Sequence, residues 1–168
     1  MKISEYVVTG IITILGVTPF IWFTYIGKKA SGKSKSVIKD LLKEESLDFH
    51  QKEFWNHNFI GIDEAKNSLL FIKIKSPENE IAKIDLNDVK SCKIQKSTRD
   101  YKRDKRMESE LQTLDLQLVF ESKRPTVDFN FYDIEDHLSE DFEMKRAEKW
   151  QQLILQNVMK NKTDIVAA

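Results

Sequence analysis

The sequence predicts an α+β chain: an N-terminal transmembrane helix, then a small antiparallel β barrel or sandwich, capped by a C-terminal amphipathic helix. Three observations predict it. Residues 6–26 carry no charged side chain, short segments between Phe54 and Phe131 alternate apolar with polar residues, and Ala147, Trp150, Leu153, Ile154 and Val158 form one apolar stripe at helical spacing.

The uncharged run has 21 residues, Tyr6 to Ile26. At about 1.5 Å per residue a helix of that length crosses a hydrocarbon core of roughly 30 Å. Tyr6 at one end and Trp22 and Tyr25 at the other suit the headgroup level. A cleaved leader fits less well, because its apolar stretch is shorter and a small-residue cleavage site follows it, whereas Gly27, Lys28, Lys29 and Ala30 follow here. Lys28, Lys29, Lys33 and Lys35 lie just beyond the run against Lys2 before it, so the basic-side rule places the N-terminus outside an inner membrane and the rest in the cytoplasm. These lysines would also meet anionic headgroups.

The expected organisation is therefore an anchor at 1–27, a basic juxtamembrane linker with a short amphipathic helix at 28–53, a β domain with its terminal helix at 54–162, and a tail at 163–168. In the linker, Val37, Ile38, Leu41 and Leu42 recur at helical spacing, with Ser36 available as a cap. In the domain, Phe59, Ile60 and Ile62 mark a first strand, Glu64 to Asn67 a turn, and Leu69 to Ile74 a second strand. Ser76, Pro77, Glu78 and Asn79 signal another turn. Ala82, Ile84 and Leu86 alternate with Lys83 and Asp85, and Val89 to Ile94 follows a turn. Leu114, Leu116, Leu118 and Phe120, then Val127, Phe129 and Phe131, give the clearest alternation and predict a hairpin through Lys123, Arg124 and Pro125. A last helix is expected from about Ser139, with Glu140 and Asp141 at its positive end.

Charge and cysteine content narrow the functions. Lys and Arg total 27 and Asp and Glu total 27, so no global field recruits nucleic acid, and no nucleic-acid partner is expected. Cys92 is the only cysteine, which excludes an internal disulfide and a CxxC metal or redox site.

Residues 27–34 match the phosphate-binding pattern GxxxxGK[ST] letter for letter. The working motif sits between a buried parallel strand and a helix, and an apolar anchor precedes it here, so the match is read as a product of a basic, Gly- and Ser-containing flank. No nucleotide or other cofactor is expected. His50, His57 and His137 are the only histidines. His137 follows Asp133, Glu135 and Asp136 without the spacing of a zinc site or the glycine register of a calcium loop, so no metal is expected. Trp55, Asn56, His57 and Asn58 are read as packing and turn residues, and no nucleophile and base declare themselves, so an enzyme is disfavoured.

Several antiparallel strands followed by one amphipathic helix, with the runs Phe54 to Asp63, Ile84 to Cys92 and Ala147 to Trp150, resemble small, uncharacterised, membrane-anchored bacterial proteins with a pleckstrin-homology-like domain. That resemblance implies a scaffold for contacts and no activity. Its lipid-binding members place Lys and Arg around the first hairpin turn, where this chain has Asp63, Glu64, Ala65, Lys66 and Asn67, so specific phosphoinositide binding is not implied. The local charge anomaly is 96–106, read as a loop: Lys96, Arg99, Lys102, Arg103, Lys105 and Arg106 surround Tyr101, against Asp100 and Asp104. The expected function is a binding or scaffold module for a protein partner at the membrane, with an anionic-lipid sensor using this loop as the alternative.

Overall fold

The computed structural model describes residues 34–43, 45–104, 106–136 and 142–167. Helix α1 spans 34–43. Seven strands follow among the described residues: β1 (Gln51–Trp55), β2 (Asn58–Asp63), β3 (Ser68–Lys73), β4 (Glu80–Asp85), β5 (Val89–Arg103), β6 (Arg106–Phe120) and β7 (Val127–Asp133), and then helix α2 (Glu143–Ala167).

The strands form two open antiparallel sheets, ordered β1-β2-β3-β4 and β5-β6-β7. Two open sheets correct the barrel of the expected pleckstrin-homology-like barrel or sandwich. A single turn of 3-10 helix, Leu86–Asp88, with Asp85 accepting from the Asn87 N–H, interrupts the chain between β4 and β5 and starts the second sheet as a separate ladder. The sheets face each other across one apolar core. Phe71 of β3 stacks on Phe129 of β7 with ring centroids 4.6 Å apart, and Leu114, Leu116 and Leu118 of β6 fill the same space. α2 closes one side of it with Ala147, Trp150, Ile154 and Val158, the faces that recur every three to four residues.

The expected transmembrane helix, and with it the inner-membrane placement with a cytoplasmic domain, is also corrected: among the described residues no helix is long and apolar enough to cross a membrane. α1 is too short, and α2 carries charged side chains from Glu143 to Lys160. The run 6–26 on which the expectation fell, the flanking Lys28, Lys29 and Lys33, and Ser139, Glu140 and Asp141 lie outside the described residues.

β2 and β3 are buried on both faces, because the first sheet has a second apolar layer outside it. Ile38 of α1, 1% exposed, packs with Phe59, Leu70 and Ile72, and half-buried Leu41, Leu42, Leu47, Phe49 and Phe54 complete the cluster. The segment 45–50 is strapped over these strands by polar contacts: the Asp48 N–H donates to the Asp63 carboxylate at 3.0 Å, Lys66 donates to the Ser46 carbonyl, and Lys83 pairs with Glu45 at 2.6 Å.

Turn residues account for the hairpins. Asn56 (φ 46°) and Asn67 (φ 48°) take the left-handed conformation that asparagine tolerates, and Asp104 (φ 44°) does so at the tip of the β5–β6 hairpin. Gly61 has a different reason. A Cβ there would lie 2.6 Å from the Phe49 ring and 2.9 Å from the Phe59 ring, so only glycine lets the strap approach β2. Gly61→Ala is accordingly expected to destabilise the chain by about 1–3 kcal/mol through overpacking, and Phe49→Ala in the same molecule should recover part of the loss, both read by urea denaturation.

Candidate functional site

Two features stand out from the packed body. The first is the β5–β6 hairpin. β6 pairs with β7 only from Thr113 to Leu118, whereas its pairing with β5 continues to Arg103 opposite Arg106. The segment expected to be a loop is thus a two-stranded ribbon running past the second sheet. Register shifts between Ser97 and Thr98 on β5 and between Leu114 and Asp115 in the β6–β7 pairing accompany its departure.

Lys96, Arg99, Tyr101, Lys102 and Arg103 lie on β5 and Arg106 on β6; Lys105 lies outside the described residues. Cross-strand partners set their faces. Arg99 lies opposite Glu110 and Tyr101 opposite Glu108, and the Tyr101 hydroxyl donates to the Glu108 carboxylate at 3.1 Å. Lys102 lies opposite Met107, which is 71% exposed. Arg99 and Tyr101 thus have acidic residues opposite them, and Lys102 and Arg106 lie beyond them with Met107 at the tip.

The second feature is a polar cleft beside the β1–β2 turn. His57, Asn58, Lys73, Lys75, Ser76 and Asp136 line a cavity of about 390 Å³. Lys73 shares its strand parity with Leu69 and Phe71 and so points into the protein, where its side chain is 3% exposed. Its ammonium donates to the Asn130 amide oxygen at 2.6 Å and to the Asp136 carboxylate at 3.0 Å. The Asn130 amide nitrogen donates in turn to Asp115 at 2.7 Å. Burial, together with Asp128 and Asp133, raises the Asp115 carboxyl above its ordinary range, against the pull of Asn130 and Lys73. Asn58 is 1% exposed and its amide oxygen has no hydrogen-bond partner among the described residues. The Ser34 hydroxyl lies 2.7 Å from His57 Nδ1.

A third polar cluster is structural. Glu53 of β1 accepts from Arg146 Nε at 2.8 Å, Lys149 Nζ at 2.9 Å and Trp150 Nε1 at 3.0 Å, clasping α2 to the edge of the first sheet. The Arg146 guanidinium also stands 5.1 Å from the Trp55 ring centroid. Burial opposes ionisation of Glu53, but these three donors outweigh it and hold its carboxyl below the ordinary 4.5.

Of the remaining candidates, His50 is exposed ahead of β1, His57 sits in the turn at the cleft, and His137 lies outside the described residues. Lys35 is exposed on α1. In the phosphate-loop match, residues 27–33 lie outside the described residues and Ser34 is committed to His57. Among the described residues no group of three His, Cys, Asp or Glu side chains is placed to hold a metal ion. Sequence reasoning missed Lys73, whose signal was a lysine at an inward position of an otherwise apolar strand, and missed Glu53, whose strand shows no alternation.

Cys92 is 4% exposed in the core, and burial pushes its thiol up to about 12. Native protein at pH 8 should therefore resist a maleimide reagent, with stoichiometric labelling only after unfolding in urea. The Glu53 clasp has its own signature. A carboxyl whose folded pKa is depressed contributes stability that is fully present above 4.5 and lost as pH falls through the folded value. Glu53→Gln is expected to lower the urea midpoint at pH 7 and to flatten its fall on acidification below 4.5, measured from pH 7 to pH 3. Compared with protein-family models, with curated proteins and with solved structures, the chain finds no match, so its function is argued from these side chains alone.

Proposed function

We propose that the chain is a binding module that docks an acidic protein surface through the tip of the β5–β6 ribbon. The observation that carries this reading is the ribbon itself. A two-stranded hairpin is marginally stable in water without a third strand or a covering element. Here residues 98–107 are exposed wherever a side chain is described, beyond the last pair with β7. A structure of that kind contributes little to the core, and its use lies in what it reaches.

The chemistry of the tip selects the partner. In sequence, residues 102–106 hold Lys102, Arg103, Lys105 and Arg106 with Asp104 as the only acidic residue among them, so this stretch is locally basic on a chain whose total charge is zero. Exposed Met107 beside Lys102 supplies an adaptable apolar contact of the kind common at binding surfaces.

The test is a photo-crosslinking side chain at Met107 in the full chain in intact cells. One dominant adduct with an acidic protein is expected, lost with Lys102→Glu and Arg106→Glu together. Those exposed substitutions should leave stability within about 0.5 kcal/mol. An adduct indifferent to the charge reversal, or none, would sink the reading. Salt-sensitive flotation with anionic vesicles, abolished by the same reversal, would assign the tip to a lipid surface instead.

A further inference from the structure

We propose that the cleft between the β1–β2 turn and the end of β3 binds a compact oxyanion, the carboxylate or phosphate group of a small ligand. The cavity volume of about 390 Å³ is within the span of small-molecule sites, roughly 300–1,000 Å³. Its lining is built rather than incidental. Lys73 is a charged side chain 3% exposed, and two of its three ammonium N–H groups go to Asn130 and Asp136. The third is uncommitted among the described residues. A buried ammonium held in place by two acceptors, with a donor left over at a cavity wall, is oriented without further loss of side-chain entropy when an acceptor arrives.

The other wall residues add donors. Lys75 and the Ser76 hydroxyl follow directly in sequence at the mouth, both exposed. With the Ser34 hydroxyl against His57 Nδ1, the ring presents Nε2 as its other polar atom. Among the described residues Asp136 is the only acidic side chain in the lining, and it is already paired with Lys73. Two lysines, a hydroxyl and an imidazole against one neutralised carboxylate favour an anion over a cation. Asn58, in the same wall, has a buried amide oxygen without a partner among the described residues, and such atoms mark places where a bound group or its water completes the structure.

The site is independent of the ribbon and is tested without it. The full chain, isotope-labelled, is titrated with sodium phosphate and separately with sodium acetate, at ionic strength held constant with chloride, and amide shifts are followed by NMR. Saturable shifts confined to residues 57–58 and 73–76 are expected with at least one probe. Lys75→Glu should weaken them at least tenfold, and Ser76→Ala several-fold, whereas Lys90→Glu, an exposed charge on β5, should leave them unchanged. Both cleft substitutions are at exposed positions, so the fold is retained and Lys73 itself need not be altered. Saturation by phosphate alone assigns a phosphoryl ligand, and saturation by acetate alone assigns a carboxylate. Shifts that do not saturate with either probe, or that survive Lys75→Glu at full strength, would overturn the proposal.

Discussion

β1 and β7 meet through the side chain of Trp55 at Phe131, with no hydrogen-bond ladder between them among the described residues, and much of the polar chemistry in this protein answers that gap. A closed barrel satisfies its edge groups with backbone bonds; two open sheets leave edges that side chains must close. Trp55 does so in the middle, with its ring 4.9 Å from that of Phe131 and its indole N–H 3.4 Å from the Phe131 carbonyl. Glu53 extends the closure to α2, and Lys73 extends it to Asn130 and Asp136 at the other end. Each of these side chains is buried or half-buried, where an unmatched polar group would cost about 1–3 kcal/mol, so the three clusters stand or fall with their partners. The cleft is where that closure is left incomplete.

The double burial of β2 and β3 follows from the same open architecture. A sheet with one wet face reads as alternating residues, but Phe59 to Ile62 and Leu69 to Ile72 are apolar on both parities except at Gly61. The inward set joins the core between the sheets, and the outward set takes α1 and the strap from 45 to 50 as its cover. Phe49 meets Phe59 edge-on at 5.3 Å, directly over the position where glycine replaces a side chain. Ser34 then connects this outer layer to the cleft through His57.

How much was legible depends on which residues carried the signal. Alternation at Leu114 to Phe120 and at Val127 to Phe131 marks segments that lie in β6 and β7, because each has one face in the core and one toward solvent. The stripe from Ala147 to Val158 lies on α2 for the equivalent reason at helical period. β1 was illegible: Gln51, Lys52 and Glu53 are polar in a row, since it is an edge strand whose inward contacts are made by a carboxylate and an indole rather than by aliphatic residues. The ribbon was read as a loop because exposure on both faces erases alternation, leaving only charge. Barrel closure was beyond reach for another reason, since no local pattern states whether the first and last strands exchange backbone bonds. The cleft depends on Lys73, Asn130 and Asp136, which are separated by up to 63 positions and are joined only by the fold.

The ribbon also separates two electrical environments on one molecule. From Gln112, whose carbonyl takes the last bond from the β7 side, to Arg106, β6 advances six residues, about 20 Å at the rise of a strand. Screening at physiological ionic strength decays over ~8 Å, so an approaching surface at the tip meets the tip's charges and hardly senses the acidic and basic residues of the body. A chain that is neutral in total therefore behaves, at that one extremity, as a small polycation on an insulated stem.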